Sequence, residues 1–290
     1  MIELGIYISA GAGYEVAKMA ARYLEIARES SANPSSVQLQ FSANAYPNGI
    51  PNRALIIGGN ETIRDCLQQW ANSEAPPFVG IKPMGTNNVL FQALYNECIA
   101  MTADDFIGYD LSELTYFPKF RVGIAGDRTF GNTASFSQYD GTVAKVNSIV
   151  RAIPLVPGKL RLGASYFGGL VESLFKANEG LPLMEMFLTT PFFGFVPIAP
   201  WQDPFGEELT RVSIKEGSKW ERIAKLFRTL AAFSLGRAPS PGVLNFETSK
   251  EFSARNANNH LFLDGDLIRE NRDEIIVTRS EKPLRVVALV

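Results

Sequence analysis

Cysteine and histidine are almost missing from this chain. Its 290 residues hold two cysteines, Cys66 and Cys98, and one histidine, His260. Two thiols build no disulfide framework. A single imidazole, set beside Asn258-Asn259 with no His or Cys cluster around it, makes neither a zinc site nor a Cys–His dyad. An excess of one charge is missing too: 28 Lys and Arg against 30 Asp and Glu leave a net charge of −2. That gives no basic face for duplex nucleic acid, and no nucleic-acid partner is expected. Long apolar runs are also lacking. The longest uncharged stretch, Met186 to Gln202, is broken by Pro191, Pro197 and Pro200 and cannot form a spanning helix. The opening Met1-Ile2-Glu3-Leu4 carries an acid where a signal peptide would be basic, so a cytoplasmic location is expected. Core material is plentiful: 46% of residues are hydrophobic, with 20 Phe, 9 Tyr and 3 Trp. Disorder is excluded on that composition, and the length predicts two domains.

The first third alternates strand and helix. Glu3 to Ile8 reads as a strand that ends in the glycine-bearing Ser9-Ala10-Gly11-Ala12-Gly13. The helix after it aligns Val16, Met19, Ala20, Tyr23, Leu24 and Ala27 on one face. Val37 to Phe41 is a second strand, and turn-rich Asn44 to Asn52 leads to a third, Ala54 to Ile57, stopping at Gly58-Gly59-Asn60. Thr62 to Trp70 reads as helix, Pro76-Pro77 as a break, and Phe78 to Ile81 as a fourth strand. That strand ends at Met84-Gly85-Thr86-Asn87-Asn88 before a helix from Val89 to about Met101. Apolar strands separated by helices predict a parallel sheet covered on its faces. Beyond Lys119 come short β-type runs, Phe120 to Ile124, Leu183 to Leu188, Phe192 to Ile198 and Leu209 to Ile214, which predict an antiparallel sandwich or layered sheet. Helices are expected over Gly163 to Ala177 and Lys219 to Leu235. The chain closes on Ile275 to Thr278 and Leu284 to Leu289.

Glycine turns at the carboxyl ends of consecutive parallel strands are the strongest chemical signal. Ligands of open α/β sheets bind at that edge, where amides and helix dipoles favour phosphate. As a dinucleotide fingerprint the first turn is incomplete, since Val16 stands at the third glycine position and no acid ends the next strand. The second turn, Ile56-Ile57-Gly58-Gly59-Asn60-Glu61-Thr62, and the third, Ile81-Lys82-Pro83-Met84-Gly85-Thr86-Asn87-Asn88, together resemble the turns of the diacylglycerol-kinase and NAD-kinase superfamily. Those proteins carry Gly-Gly-Asp-Gly-Thr and then Ile-Pro-x-Gly-Thr-x-Asn-Asp. Three further segments resemble the lipid-kinase branch: Phe130-Gly131-Asn132-Thr133-Ala134-Ser135, Gly194 to Pro200, and Leu263-Asp264-Gly265-Asp266. The resemblance runs in order over nearly the whole chain.

The resemblance implies an α/β plus β protein: a Rossmann-like nucleotide-binding domain, residues 1–117 with 274–290, and an antiparallel β-rich acceptor domain, residues 118–273. It implies ATP and Mg²⁺ as cofactors, with phosphates held by Gly11, Gly13, Gly58, Gly59, Asn60, Thr62, Gly85, Thr86 and Asn88. Asp264 and Asp266 are implied as the catalytic acids near the acceptor hydroxyl, a lipid or another small alcohol. The implied activity is transfer of the γ-phosphoryl group to a lipid hydroxyl. Alternatives are a kinase-fold protein that binds nucleotide or lipid without turnover, and an NAD kinase-like activity. A homo-oligomer stays open, and the metal ligands are not identified.

The departures from the family pattern are specific. Asn60 replaces an acid, Glu61 stands in place of the next glycine, and Val89 replaces a second acid. The helix usual between the second and third strands is absent, and Asp203 and Glu207 are only loose counterparts of the acid pair after Ala-Pro. Local readings compete with the chemical ones. Thr62 with Asp65 reads as a capping box, and Asp264-Gly265 between apolar runs reads as a hairpin turn. Cys66 and Cys98 read as packing residues. Met184, Met186, Phe187, Phe192, Phe193 and Phe195 read as β-domain core, with an acyl-chain pocket as the alternative. In Lys219 to Leu235, Ile223, Phe227, Leu230 and Ser234 line up as the packed stripe, while Arg222, Lys225 and Arg228, with Arg237 beyond, form a solvated side. That side would also suit peripheral contact with the inner membrane surface.

Overall fold

The strands of the first third pair side by side as a parallel sheet. The computed structural model describes residues 2–41, 49–71, 73–84, 89–96, 100–117, 119–136, 168, 182–193, 196–256, 260–264 and 266–290. The chain divides into two compact units. The first contains Met1–Asn132, Asp203–Glu207 and Arg279–Val290; the second contains Thr133–Gln202 and Glu208–Thr278.

In the first unit, β1 (Leu4–Ile8), β2 (Val37–Phe41), β3 (Arg53–Gly58), β4 (Phe78–Pro83), the short β5 (Ala100–Met101) and β19 (Leu284–Leu289) form one sheet in the order β2-β1-β3-β4-β19-β5. All these pairings are parallel, and β6 (Lys119–Phe120) adds antiparallel to β19. The last strand of the chain therefore returns to the first sheet. Strand alternation sends side chains to two faces. Tyr7, Ala54, Ile56, Val79, Ile81, Val286 and Ala288 bury against Ile63, Cys66, Leu67 and Trp70 of α2 (Asn60–Trp70) and Leu90 and Leu94 of α3 (Val89–Asn96). Leu4, Ile6, Ile8, Leu55, Ile57, Phe78, Val287 and Leu289 bury against Ala20 and Ala27 of α1 (Tyr14–Ser30) and Phe106 and Ile107 of α4 (Ala103–Gly108). Two covered faces explain why these strands read as unbroken apolar runs rather than alternating ones.

Two buried arginines fasten this unit. Arg53 pairs with Glu3 at 2.9 Å and donates to the carbonyls of Ile107 and Tyr109, closing the end of α4. Arg279 donates to the carbonyls of Pro204, at 2.7 Å, and Asp203, at 3.0 Å, holding the Asp203–Glu207 segment on this unit. Burial pushes the Arg279 guanidinium pKa down to about 10. Asp203 accepts the Phe205 amide and Glu207 lies 3.9 Å from Arg121, so both acids have structural partners here.

In the second unit, β9 (Thr133–Ser135), β10 (Met184–Leu188), β13 (Leu209–Ile214), β14 (Asn245–Ser249), β16 (His260–Leu263) and β17 (Asp266–Arg269) form an antiparallel sheet. Met184, Met186, Leu188, Val212 and Ile214 face α5 (Lys219–Ser234), which contributes Ile223 and Leu226 to one buried cluster. Phe187 lies on the opposite face of β10, in ring contact with Phe136 and Phe252. Met184, Met186 and Phe187 are thus core, as expected, while Phe195 lies outside the described residues. β15 (Glu251–Arg255) pairs antiparallel with β18 (Glu274–Arg279), and β11 (Phe192–Phe193) with β12 (Val196–Pro197).

Several expectations need correction. The helix from Val89 ends at Asn96, and Ala100–Met101 is a strand on β19. Phe120 to Ile124 is not one strand: Phe120 pairs with Leu284, whereas Gly123–Ala125 (β7) pairs with Arg128–Phe130 (β8). Thr62 is not an N-cap; Gly59 holds that position and α2 starts at Asn60. Arg222 is buried and Phe227 is exposed, the reverse of the expected orientation on α5. Apart from Gly168, the helix expected over 163–177 lies outside the described residues, as does Cys98.

Candidate functional site

The carboxyl edge of the parallel sheet is where the strand-to-helix turns deliver backbone amides. β1 runs through Ser9–Gly13 into α1, and β3 runs through Gly58-Gly59 into α2. Both helices are N-capped by glycine, Gly13 and Gly59, and neither cap makes a side-chain hydrogen bond. Two other helices are capped by hydroxyls. Thr102 accepts the Asp105 amide at the start of α4, and Ser218 with Glu221 forms a complete capping box on α5. A helix start leaves amides without intrahelical acceptors, and a glycine cap adds no side-chain oxygen to satisfy them. At this edge the dipoles of α1 and α2 add partial positive charge.

The glycines serve different ends. A Cβ on Gly58 would fall 2.6 Å from Thr62 Oγ1, so this glycine is required by the buried Thr62 side chain packed over it. A Cβ on Gly13 would meet nothing within 4 Å. Internal packing does not explain Gly13, whereas close approach of a ligand to the backbone would. The Gly11 amide donates to Ser9 Oγ at 3.3 Å and the Ala12 amide to the Ser9 carbonyl at 3.0 Å, so both amides have partners within the turn. Asn60 is the first residue of α2, followed by the exposed Glu61. Gly85, Thr86 and Asn88 lie outside the described residues.

Lys82 is a candidate that motif matching missed. It lies near the carboxyl end of β4, paired in register with Ile57, one step before the Gly58–Pro83 pair. It is half-buried and makes no hydrogen bond or ion pair among the described residues. A lone lysine closing an otherwise apolar strand is the signal that marks it.

In the second unit Asp264 occupies the hairpin between β16 and β17, where Leu263 pairs with Asp266. Its φ of 52° is the only left-handed non-glycine backbone among the described residues. Asp264 and Thr133 exchange two bonds: the Thr133 amide donates to Asp264 Oδ1 and the Asp264 amide donates to the Thr133 carbonyl, each at 2.9 Å. The turn reading therefore holds for Asp264, whose carboxylate is locked against β9, while Gly265 lies outside the described residues. Glu185, buried in β10, binds Arg211 at 2.6 Å, and burial raises its pKa. Burial likewise pushes the Cys66 thiol well up, as suits a packing residue rather than a nucleophile.

The fit to a metal is poor on the described side. No group of three His, Cys, Asp or Glu that could hold an ion occurs among the described residues, and the family's acid at the start of α2 is the neutral Asn60. The two glycine-capped helix starts and Lys82 have the chemistry to meet an anion.

No family model matches the chain, and no curated protein matches it. Solved structures do. A provisionally assigned diacylglycerol kinase from Bacillus anthracis str. Sterne superposes with a TM-score of 0.59 at 11% identity, covering 98% of this chain and 97% of that one. A second such structure from that organism gives 0.58 at 13% identity over 98% and 97%. A diacylglycerol kinase structure, also from that organism, gives 0.56 at 12% identity over 98% and 96%. This chain has the diacylglycerol-kinase fold. The likeness spans the parallel sheet and the antiparallel sheets together, since it covers nearly the whole of each chain. Among the described residues no helix is long and apolar enough to cross a membrane.

Proposed function

We propose that the chain binds the phosphates of ATP along the carboxyl edge of its parallel sheet and transfers the γ-phosphoryl group to a lipid hydroxyl. The observation that carries this reading is the pair of glycine-capped helices, α1 and α2, whose N-cap residues contribute no side-chain oxygen, while α4 and α5 are capped by hydroxyls. Backbone amides at helix starts bind phosphate oxygens without a desolvated side chain, and a lysine beside them neutralises further charge. ATP supplies the activated phosphoryl group. The chain's own contribution is positioning: amides from Gly13 onward and from Gly59 onward as phosphate donors, and Lys82 as a counter-charge. The motif resemblance supports Asp264 and Asp266 as the acids that orient or deprotonate the acceptor hydroxyl.

A second reading rests on Asn60, Glu61 and Val89. A kinase fold that lacks the acids replaced by Asn60 and Val89, and carries Glu61 where phosphate would approach, binds nucleotide but does not turn it over. Incubation with radiolabelled ATP and diacylglycerol micelles separates the two readings. Labelled lipid that disappears in Asp264→Asn supports transfer; saturable ATP binding without labelled lipid supports the binder. Absence of ATP binding rejects both.

A further inference from the structure

Edge strands expose unpaired backbone groups that invite another strand, and proteins blunt them with charge, proline or shortness. Among the described residues all but one of the edges here are blunted. In the second unit's largest sheet the edge strand β14 carries Glu247 and the opposite edge, β17, carries Arg269. β15 carries Glu251 and Arg255, β8 carries Arg128, and β5, β11 and β12 are two residues each. β2 is the exception. At the outer edge of the parallel sheet it pairs with β1 alone among the described residues, and Val37-Gln38-Leu39-Gln40-Phe41 includes no charge, glycine or proline. Register with Leu4, Ile6 and Ile8 turns Val37, Leu39 and Phe41 toward the α1 side of the sheet. Val37 is buried there, yet Leu39 is 39% and Phe41 43% exposed. The flank of α1 forms an open groove of about 490 Å³, lined by Ala21, Leu24, Glu25, Arg28 and Glu29 with Pro34, which leads into β2.

We infer that β2 pairs antiparallel with β2 of a second copy about a two-fold axis at Leu39, joining two parallel sheets into one. A two-fold contact demands a surface that complements itself. β2 meets that demand: Leu39 opposes Leu39, Val37 opposes Phe41, and Gln38 opposes Gln40. Apolar side chains then share one face of the joined sheet and amides the other, with no like charges opposed. An unrelated strand would match the backbone but not this symmetry. The helices suit the same axis. α1 lies over β1 and β2. With strands about 4.8 Å apart, its copy would come to about 10 Å away, the ordinary spacing of packed helices. The level along the strand agrees as well. Arg28 donates to the Val37 carbonyl at 3.4 Å, and α1 runs opposite to the parallel strands it connects. From Val37 to Leu39 is about 6.6 Å, which about four residues of helix match, from Arg28 back to Leu24. The axis at Leu39 therefore passes Leu24. Ala21 leaves room there for close approach, and the rim carries both signs of charge in Glu25, Glu29 and Arg28.

Analytical ultracentrifugation of the full chain tests this without nucleotide, so the outcome is independent of ATP binding or turnover. The expected result is a monomer–dimer equilibrium. Leu39→Lys sets two ammonium groups against each other at the axis and should weaken the dimer at least about tenfold. Leu39 is exposed, and circular dichroism checks that the variant keeps the fold. Leu39→Cys gives a second measurement. Opposed residues of antiparallel strands have Cα atoms about 4.5–5.5 Å apart, within disulfide reach, so oxidation should yield a covalent dimer. Ser35→Cys, exposed but ahead of the strand, should not cross-link. A chain that is monomeric at every concentration overturns the inference, as does a dimer that Leu39→Lys leaves intact. Failure of Leu39→Cys to cross-link, or equal cross-linking of Ser35→Cys, overturns it too.

Discussion

Gly13→Ser should stabilise the fold and weaken ATP binding, two effects of opposite sign from one hydroxyl. Gly13 caps α1 with φ −68° and ψ 168°, the extended conformation that serine adopts as an N-cap, and a Cβ there meets nothing within 4 Å. A serine oxygen would accept an amide of the first turn. Replacing glycine by serine at such a cap gains a few tenths of a kcal/mol, and the stiffer unfolded chain adds a similar amount, about 0.5–1 kcal/mol together. The same oxygen takes a donor that the phosphate would otherwise use and fills the open space above the backbone. Losing one hydrogen bond to a charged group costs about 1.5–3 kcal/mol, roughly ten- to hundredfold in affinity. Urea unfolding reads the first effect and calorimetric titration with ATP the second. Higher stability with unchanged ATP affinity would remove α1 from the phosphate site, and lower stability would contradict the cap geometry itself.

The remaining predictions separate structural from chemical roles. Gly58→Ala drives a methyl into the buried Thr62 side chain and should destabilise by about 1–3 kcal/mol in urea unfolding; a neutral result would mean that the β3–α2 turn can open. Asp264→Asn keeps an oxygen for the Thr133 amide and a residue that tolerates the left-handed backbone, so stability should change by less than about 1 kcal/mol while lipid phosphorylation falls about 10²–10⁴-fold. Asp264→Val, β-branched at φ 52°, should destabilise by about 2 kcal/mol or more on the same unfolding assay. Glu3 has its pKa lowered by the Ser31 hydroxyl, with smaller help from Ser36 and Arg53. A carboxylate with a depressed folded pKa stabilises above its unfolded value and loses that contribution as pH falls through the folded value. The stability gap between the native chain and Glu3→Gln should therefore be full at neutral pH and close below the ordinary carboxylate range, and a gap that widened in acid would refute the assignment.

What the residues reveal unaided depends on how strongly burial constrains them. β1, β3, β4 and β19 are legible because strands covered on both faces must be apolar throughout, and the α1 stripe because its outer face is polar. β5 and β6 are two residues each, too short for any period to register. The orientation of α5 is illegible for a different reason. Ile223, Leu226 and Leu230 lie on one side and Trp220, Phe227 and Leu235 on another, so two apolar stripes compete and only packing against β10 and β13 decides between them. At the start of α2, Thr62 and Asp65 imitate a capping box, yet Thr62 is needed over Gly58 and the helix begins two residues earlier. The strand-to-helix turns of the candidate site are legible from their glycines. Lys82 is not, because one cation in a strand matches no motif, and its place at the edge follows from register with β3.

Hydrogen exchange measured with and without ATP reads the two glycine-capped helix starts themselves. The account predicts that saturating ATP slows exchange at the start of α1, from Gly13 through Val16, and at the start of α2, from Gly59 through Thr62, because phosphate oxygens occupy those amides. Bound ATP that leaves both helix starts exchanging at their free rate, with protection elsewhere, would contradict it.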